Sequence, residues 1–86
     1  MTANERPGAP EKAIAGDPRH VAVPFAGYVH PAVAEGDVVV AGQVVASVEA
    51  MKMEAPIVCA NAGTVVRLVI DGPRQAEGGD LLLVLV

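Results

Sequence analysis

Aromatic side chains are almost missing from this chain, which has one Phe, one Tyr and no Trp. That excludes a core built on large rings and a stacking platform for single-stranded nucleic acid. Positive charge is sparse too: six Lys and Arg stand against ten Asp and Glu, for a net charge of −4. Residues 1–19 sum to zero, so the whole imbalance of −4 falls on residues 20–86. No basic stripe exists to meet a phosphate backbone, so no nucleic-acid partner is expected. The single cysteine, Cys59, permits no intrachain disulfide and suits a reducing compartment. No apolar run approaches the length of a membrane span, and no signal-peptide pattern opens the chain. The expectation is a soluble cytoplasmic protein without a membrane partner. His20 and His30 share no ligand spacing with other residues, so no metal is expected. No Ser-His-Asp, Cys-His or paired-carboxylate set is visible, and no Gly-rich loop leads into a helix; no catalytic residue is assigned.

What the chain has in abundance is valine, 16 of 86 residues, with nine Gly and seven Pro. β-Branched side chains between frequent turns predict an all-β domain with a small core. Residues 1–19 are rich in Pro, Gly, Ala and charge without a sustained period, and read as a disordered tail or linker. Residues 20–86 form the expected domain. Its first half carries short strands at Val21–Val23, Gly27–Val29, Val38–Val40 and Val44–Val48. Turns fall at Glu35-Gly36-Asp37 and Ala41-Gly42-Gln43.

The second half repeats the first. At an offset of 36, Val21 aligns with Ile57, Val23 with Cys59, Gly27 with Gly63, Val29 with Val65, Val33 with Val69 and Gly36 with Gly72. Further on the offset becomes 37, aligning Gly42 with Gly79 and Val44-Val45 with Leu81-Leu82. The slip suggests one extra residue in a surface loop between Gly72 and Gly79. The matched glycines suggest turns with positive φ in both halves. Two four-stranded units that cannot bury their apolar faces alone predict a flattened β-barrel or sandwich with pseudo-two-fold symmetry. Cys59 aligns with Val23 and reads as a small core residue.

The junction of the two units is Glu49-Ala50-Met51-Lys52-Met53-Glu54-Ala55, and it does not match its surroundings. Ala, Met, Lys and Glu favour helix, yet the stretch is too short for an independent one. It also lacks the Asn-Gly or Asp-Gly pair of a tight hairpin. Such local conflicts concentrate at functional sites. Lys52 lies at its centre, the only lysine after residue 19. The repeat places it at a hairpin tip, with the ends of the domain away from it. Met51 and Met53, unbranched and soft, suit contact with several partners. Glu49 and Glu54 would favour the charged ammonium.

Glu49-Ala50-Met51-Lys52-Met53-Glu54 resembles the attachment motif of biotin carboxyl carrier domains of biotin-dependent carboxylases. The repeat, with Gly36-Asp37 and Gly42-Gln43 before the motif and Ala62-Gly63-Thr64-Val65 after it, resembles the wider biotinyl/lipoyl domain family. The resemblance covers roughly residues 21–86. It implies that Lys52 carries biotin covalently, attached by biotin protein ligase. It further implies a carrier that is not itself an enzyme, taking a carboxyl group from a biotin carboxylase to a carboxyltransferase. Asn61 stands where such domains often have proline, and no insertion forms a protruding thumb. The alternative is a lipoyl carrier domain of a 2-oxo acid dehydrogenase-type complex, in which Asp and Ala usually flank the lysine.

Overall fold

Backbone propensity and alternation bring the chain into eight short strands. The computed structural model describes residues 11–86. The strands are β1 (His20–Ala22), β2 (Gly27–Pro31), β3 (Val38–Val39), β4 (Val44–Ala50), β5 (Met53–Val58), β6 (Gly63–Leu68), β7 (Arg74–Ala76) and β8 (Leu81–Leu85). They make two four-stranded antiparallel sheets, ordered β1-β8-β6-β3 and β5-β4-β2-β7. The sheets close face to face over a core of Val, Leu and Ile that includes Val29, Val45, Val48, Val65, Ile70, Leu82 and Leu83, all buried. Cys59 is fully buried in that core, and its thiol donates to the Val40 carbonyl over 2.9 Å. This is the all-β flattened sandwich that the valine-rich repeat predicts.

The symmetry is tighter than the repeat alone implies. Replacing β1, β2, β3 and β4 by β5, β6, β7 and β8, and the reverse, converts one sheet order into the other. Each sheet is therefore not one repeat unit. The inner pair of each sheet comes from one unit, and both outer strands come from the other. Neither half can form a complete sheet without its twin, so the two fold as one body.

The change of offset is a β-bulge, not a loop insertion. Val29 and Val48 pair as Val65 and Leu85 do, at offsets of 36 and 37. His30 and Ser47 pair as Arg67 and Val84 do, with both offsets now 37. The extra residue is Val66, half exposed in β6 where the register shifts. A bulged residue adds one position to a strand without reversing the faces beyond it. Val33 consequently matches Ile70 rather than Val69, and Gly36 matches Pro73 rather than Gly72. The backbone agrees: Gly36, Gly42 and Gly79 have φ of 93°, 85° and 90°, whereas Gly72 is not in the left-handed region. The positive-φ expectation holds for the Gly42/Gly79 pair, fails at Gly72 of the Gly36/Gly72 pair, and fails at both Gly27 and Gly63, which begin strands.

Of the segment expected to be a disordered tail, residues 1–10 lie outside the described residues. Residues 11–19 are instead joined to the second repeat. Leu81 N–H donates to the Glu11 carbonyl at 2.7 Å, Ala13 N–H to Gly79 at 2.9 Å, and Leu85 N–H to Arg19 at 2.7 Å. The Lys12 ammonium pairs with the carboxylate of Asp80, the one buried charged side chain among the described residues. Arg67 bonds Glu11 at 2.7 Å. Composition hid this because the segment binds through backbone groups and isolated ion pairs, which leave no hydrophobic period.

Candidate functional site

The β4–β5 hairpin runs straight through the stretch that propensity sets apart. Ladder pairs continue from Ser47↔Pro56 through Val48↔Ala55 and Glu49↔Glu54 to Ala50↔Met53. Only Met51 and Lys52 are left to turn the chain. Cross-strand pairing thus overrides the helical preference of Glu, Ala and Met, and the strands reach further into the motif than Val/Ile content indicates. Pro56 is tolerated because β5 is an edge strand.

A two-residue hairpin loop needs a primed turn, whose twist matches that of the strands. Met51 accordingly has φ of 55°, the one non-glycine positive φ among the described residues. Lys52, the second central residue, does not share it. This is the sign pattern of a type II′ turn, which normally places glycine first. Holding a long side chain there costs about 1–3 kcal/mol. The strain falls at one residue, directly before the lysine.

The tip projects into solvent. Met51 is 101% exposed and Met53 56%. Lys52, Glu49 and Glu54 are also exposed. Neither methionine belongs to the core cluster or to the partly buried residues packed on it. The two glutamates face each other across the ladder, with Tyr28 opposite Glu49 on the next strand. Like charges directly opposite are unfavourable in a sheet. Sequence proximity suggested that these carboxylates favour the charged form of the ammonium. In the structure they sit on the strands below the turn, and Lys52 takes part in no ion pair among the described residues. None of the described carboxylates holds the ammonium at the end of its stem.

The base of the hairpin is set by Gly27, whose role was not legible as a site residue. A Cβ there would lie 2.6 Å from the Glu49 carbonyl oxygen and 2.8 Å from Val48 Cγ2. Its repeat partner Gly63 meets the equivalent residue at the other end, with 2.9 Å to the Val86 carbonyl oxygen. The Gly27/Gly63 correspondence was the available signal, but it does not say which strand comes close. Asp80 accepts from Glu77 N–H at 2.9 Å. It also anchors Lys12 in the second repeat rather than joining the Lys52 hairpin. Burial by itself would raise its pKa, but the Glu77 N–H and the Lys12 ammonium prevail and hold it below the ordinary carboxylate value.

A family model, Biotin_lipoyl, described as "Biotin-requiring enzyme", matches residues 20–85. The chain belongs to this family of domains that attach biotin or a lipoyl group and serve as carriers in multienzyme complexes. Such domains meet an attachment ligase and partner enzymes. No curated protein matches the chain. Among solved structures 33 chains match. One is an aspartoacylase family protein from Mesorhizobium loti, with a TM-score of 0.73 over 88% of this chain at 19% identity. The chain spans 26% of the length of that protein, and the likeness is one of fold.

Proposed function

We propose that this member of the Biotin_lipoyl family is a biotin carboxyl carrier and that Lys52 is its point of attachment. The observation that carries the reading is the hairpin tip. A two-residue turn presents the lysine, its ammonium in no ion pair among the described residues, between two exposed thioethers, within the sequence Glu49-Ala50-Met51-Lys52-Met53-Glu54. The surroundings fit a long acyl group, because Lys52 is exposed and no core residue closes over it.

Attachment requires the Lys52 amine to attack an activated carboxyl carbon, forming the amide C–N bond as the leaving group departs with its electron pair. The ammonium has no lone pair to do this, so the ligase must take its proton. Biotin, once joined, supplies a ureido group that takes up a carboxyl from a biotin carboxylase and yields it to a carboxyltransferase. The chain contributes reach and presentation. The sandwich holds the turn rigid for the ligase to read, while the lysine stem leaves its end free. One arm that visits two sites replaces diffusion of a free intermediate by a high effective concentration. Attachment removes the one cationic side chain of the turn and takes the formal net charge from −4 to −5.

Co-expression with biotin protein ligase and intact-mass measurement test this. The expected result is a single biotin adduct that disappears in Lys52→Arg. A mass unchanged by biotin, or an adduct that survives the substitution, refutes it. The same hairpin could present a lipoyl group; an adduct formed by lipoate ligase and not by biotin ligase would select that reading.

A further inference from the structure

We infer that Met51 and Met53 form an oxidation switch, and that their conversion to sulfoxides by a peroxide impairs loading of Lys52. The inference rests on the reading of Lys52 as the attachment residue. Met51 is 101% exposed and Met53 56%, on either side of that lysine. Backbone geometry keeps them there. Met51 holds φ of 55° at the first position of the turn, and Met53 begins β5 opposite Ala50. Neither thioether rests on the core, and among the described residues both side chains stay open to solvent, Met51 more than Met53.

In the reaction a sulfur lone pair attacks the peroxide oxygen. The S–O bond forms and the O–O bond breaks. The departing hydroxide takes the proton of the transferred oxygen to become water, leaving the neutral sulfoxide. The thioether is oxidised by two electrons and the peroxide is reduced by two. The product is polar, chiral and uncharged. Lys52 therefore keeps its charge, and what changes is the soft apolar surface on both sides of it. Because these side chains are outside the core, the change alters recognition without unfolding the domain. Among the described residues the other sulfur cannot compete, since the Cys59 thiol is fully buried.

The test treats the whole chain with hydrogen peroxide and maps oxygen uptake by peptide mass spectrometry. The melting temperature and the rate of biotinylation by biotin ligase are then measured before and after reduction by methionine sulfoxide reductases A and B. Met51 is expected to oxidise before Met53, with the melting temperature unchanged. Biotinylation is expected to fall about fivefold, equivalent to roughly 1 kcal/mol and the scale of a lost sulfur contact, and to recover on reduction. The Met51→Leu/Met53→Leu double variant must lose the response to peroxide, whatever its basal rate. Sulfoxides at both positions with an unchanged loading rate overturn the inference, as does resistance of both residues to peroxide. If the untreated chain takes no biotin, the attachment reading fails instead, and the same comparison is read with lipoate ligase.

Discussion

Gly27→Ala should weaken the domain and its hairpin together, and Gly63→Ala provides an internal control. The new Cβ at residue 27 would lie 2.6 Å from the Glu49 carbonyl oxygen, 2.8 Å from Val48 Cγ2 and 3.1 Å from the Glu49 carbonyl carbon. Relief requires β2 and β4 to separate by a large part of an ångström. β2 is an inner strand, held on its other side by β7, so it cannot simply move aside. Forced overpacking of this kind costs about 1–3 kcal/mol, and the severity here points to the upper part. Alanine returns about 0.4–1 kcal/mol by restricting the unfolded chain, leaving a net loss of about 2 kcal/mol. At residue 63 the first clash is 2.9 Å, milder by 2.9 − 2.6 = 0.3 Å, and the next is 3.3 Å, so a net loss under about 1 kcal/mol is expected. Urea unfolding reads the difference: with a slope near 1 kcal/mol per molar, the Gly27→Ala midpoint falls by roughly 2 M. The second readout is the rate of biotinylation, measured where both variants are fully folded. It should fall for Gly27→Ala, which disturbs the base of the Lys52 hairpin, and hold for Gly63→Ala, which disturbs the repeat-equivalent end at Val86. Equal losses of stability, or normal loading of Gly27→Ala, would refute the argument.

Met51→Gly relieves a positive φ worth about 1–3 kcal/mol against a glycine entropy cost of about 0.5–1 kcal/mol. It should raise stability by roughly 1 kcal/mol in denaturant unfolding, and a loss of that size would show that the turn is not strained. Asp80 titrates below its unfolded value of 3.8, so its contribution is complete above that value and is lost as pH falls through the folded pKa. Asp80→Asn should flatten the acid limb of stability below pH 3.8, and an unchanged acid limb would remove Asp80 as its cause. Deleting Val66 removes the bulge and gives β6 the spacing of β2. The fold should survive with a loss near 1 kcal/mol, and a molten circular dichroism spectrum would contradict the bulge assignment.

The repeat, the all-β class and the placement of Lys52 at a turn were legible because each rests on short-range information. Alternating Val positions mark strands, and matched glycines mark corresponding corners. The Ala-Met-Lys-Met run is distinctive at the level of residue types. The bulge at Val66 was not legible, because a one-residue shift between two Val-rich segments preserves the pattern at almost any point along them. The role of Gly27 was only half legible, as its partner in the second repeat was visible but its neighbour in space was not. Residues 11–19 read as a tail because their anchors, Gly79, Asp80 and Leu81, lie more than sixty residues away in sequence.

By itself the sequence determined which residues stand at the tip, since the repeat marks its own junction, and that the core is built from small branched side chains. Tertiary structure alone decided that the two repeats exchange their outer strands, that Met51 takes the strained position of a two-residue turn, and that Lys52 forms no ion pair with Glu49 or Glu54. Those outcomes depend on which strands pair. Strand pairing is chosen by the apolar area that distant segments bury together, which no local window contains.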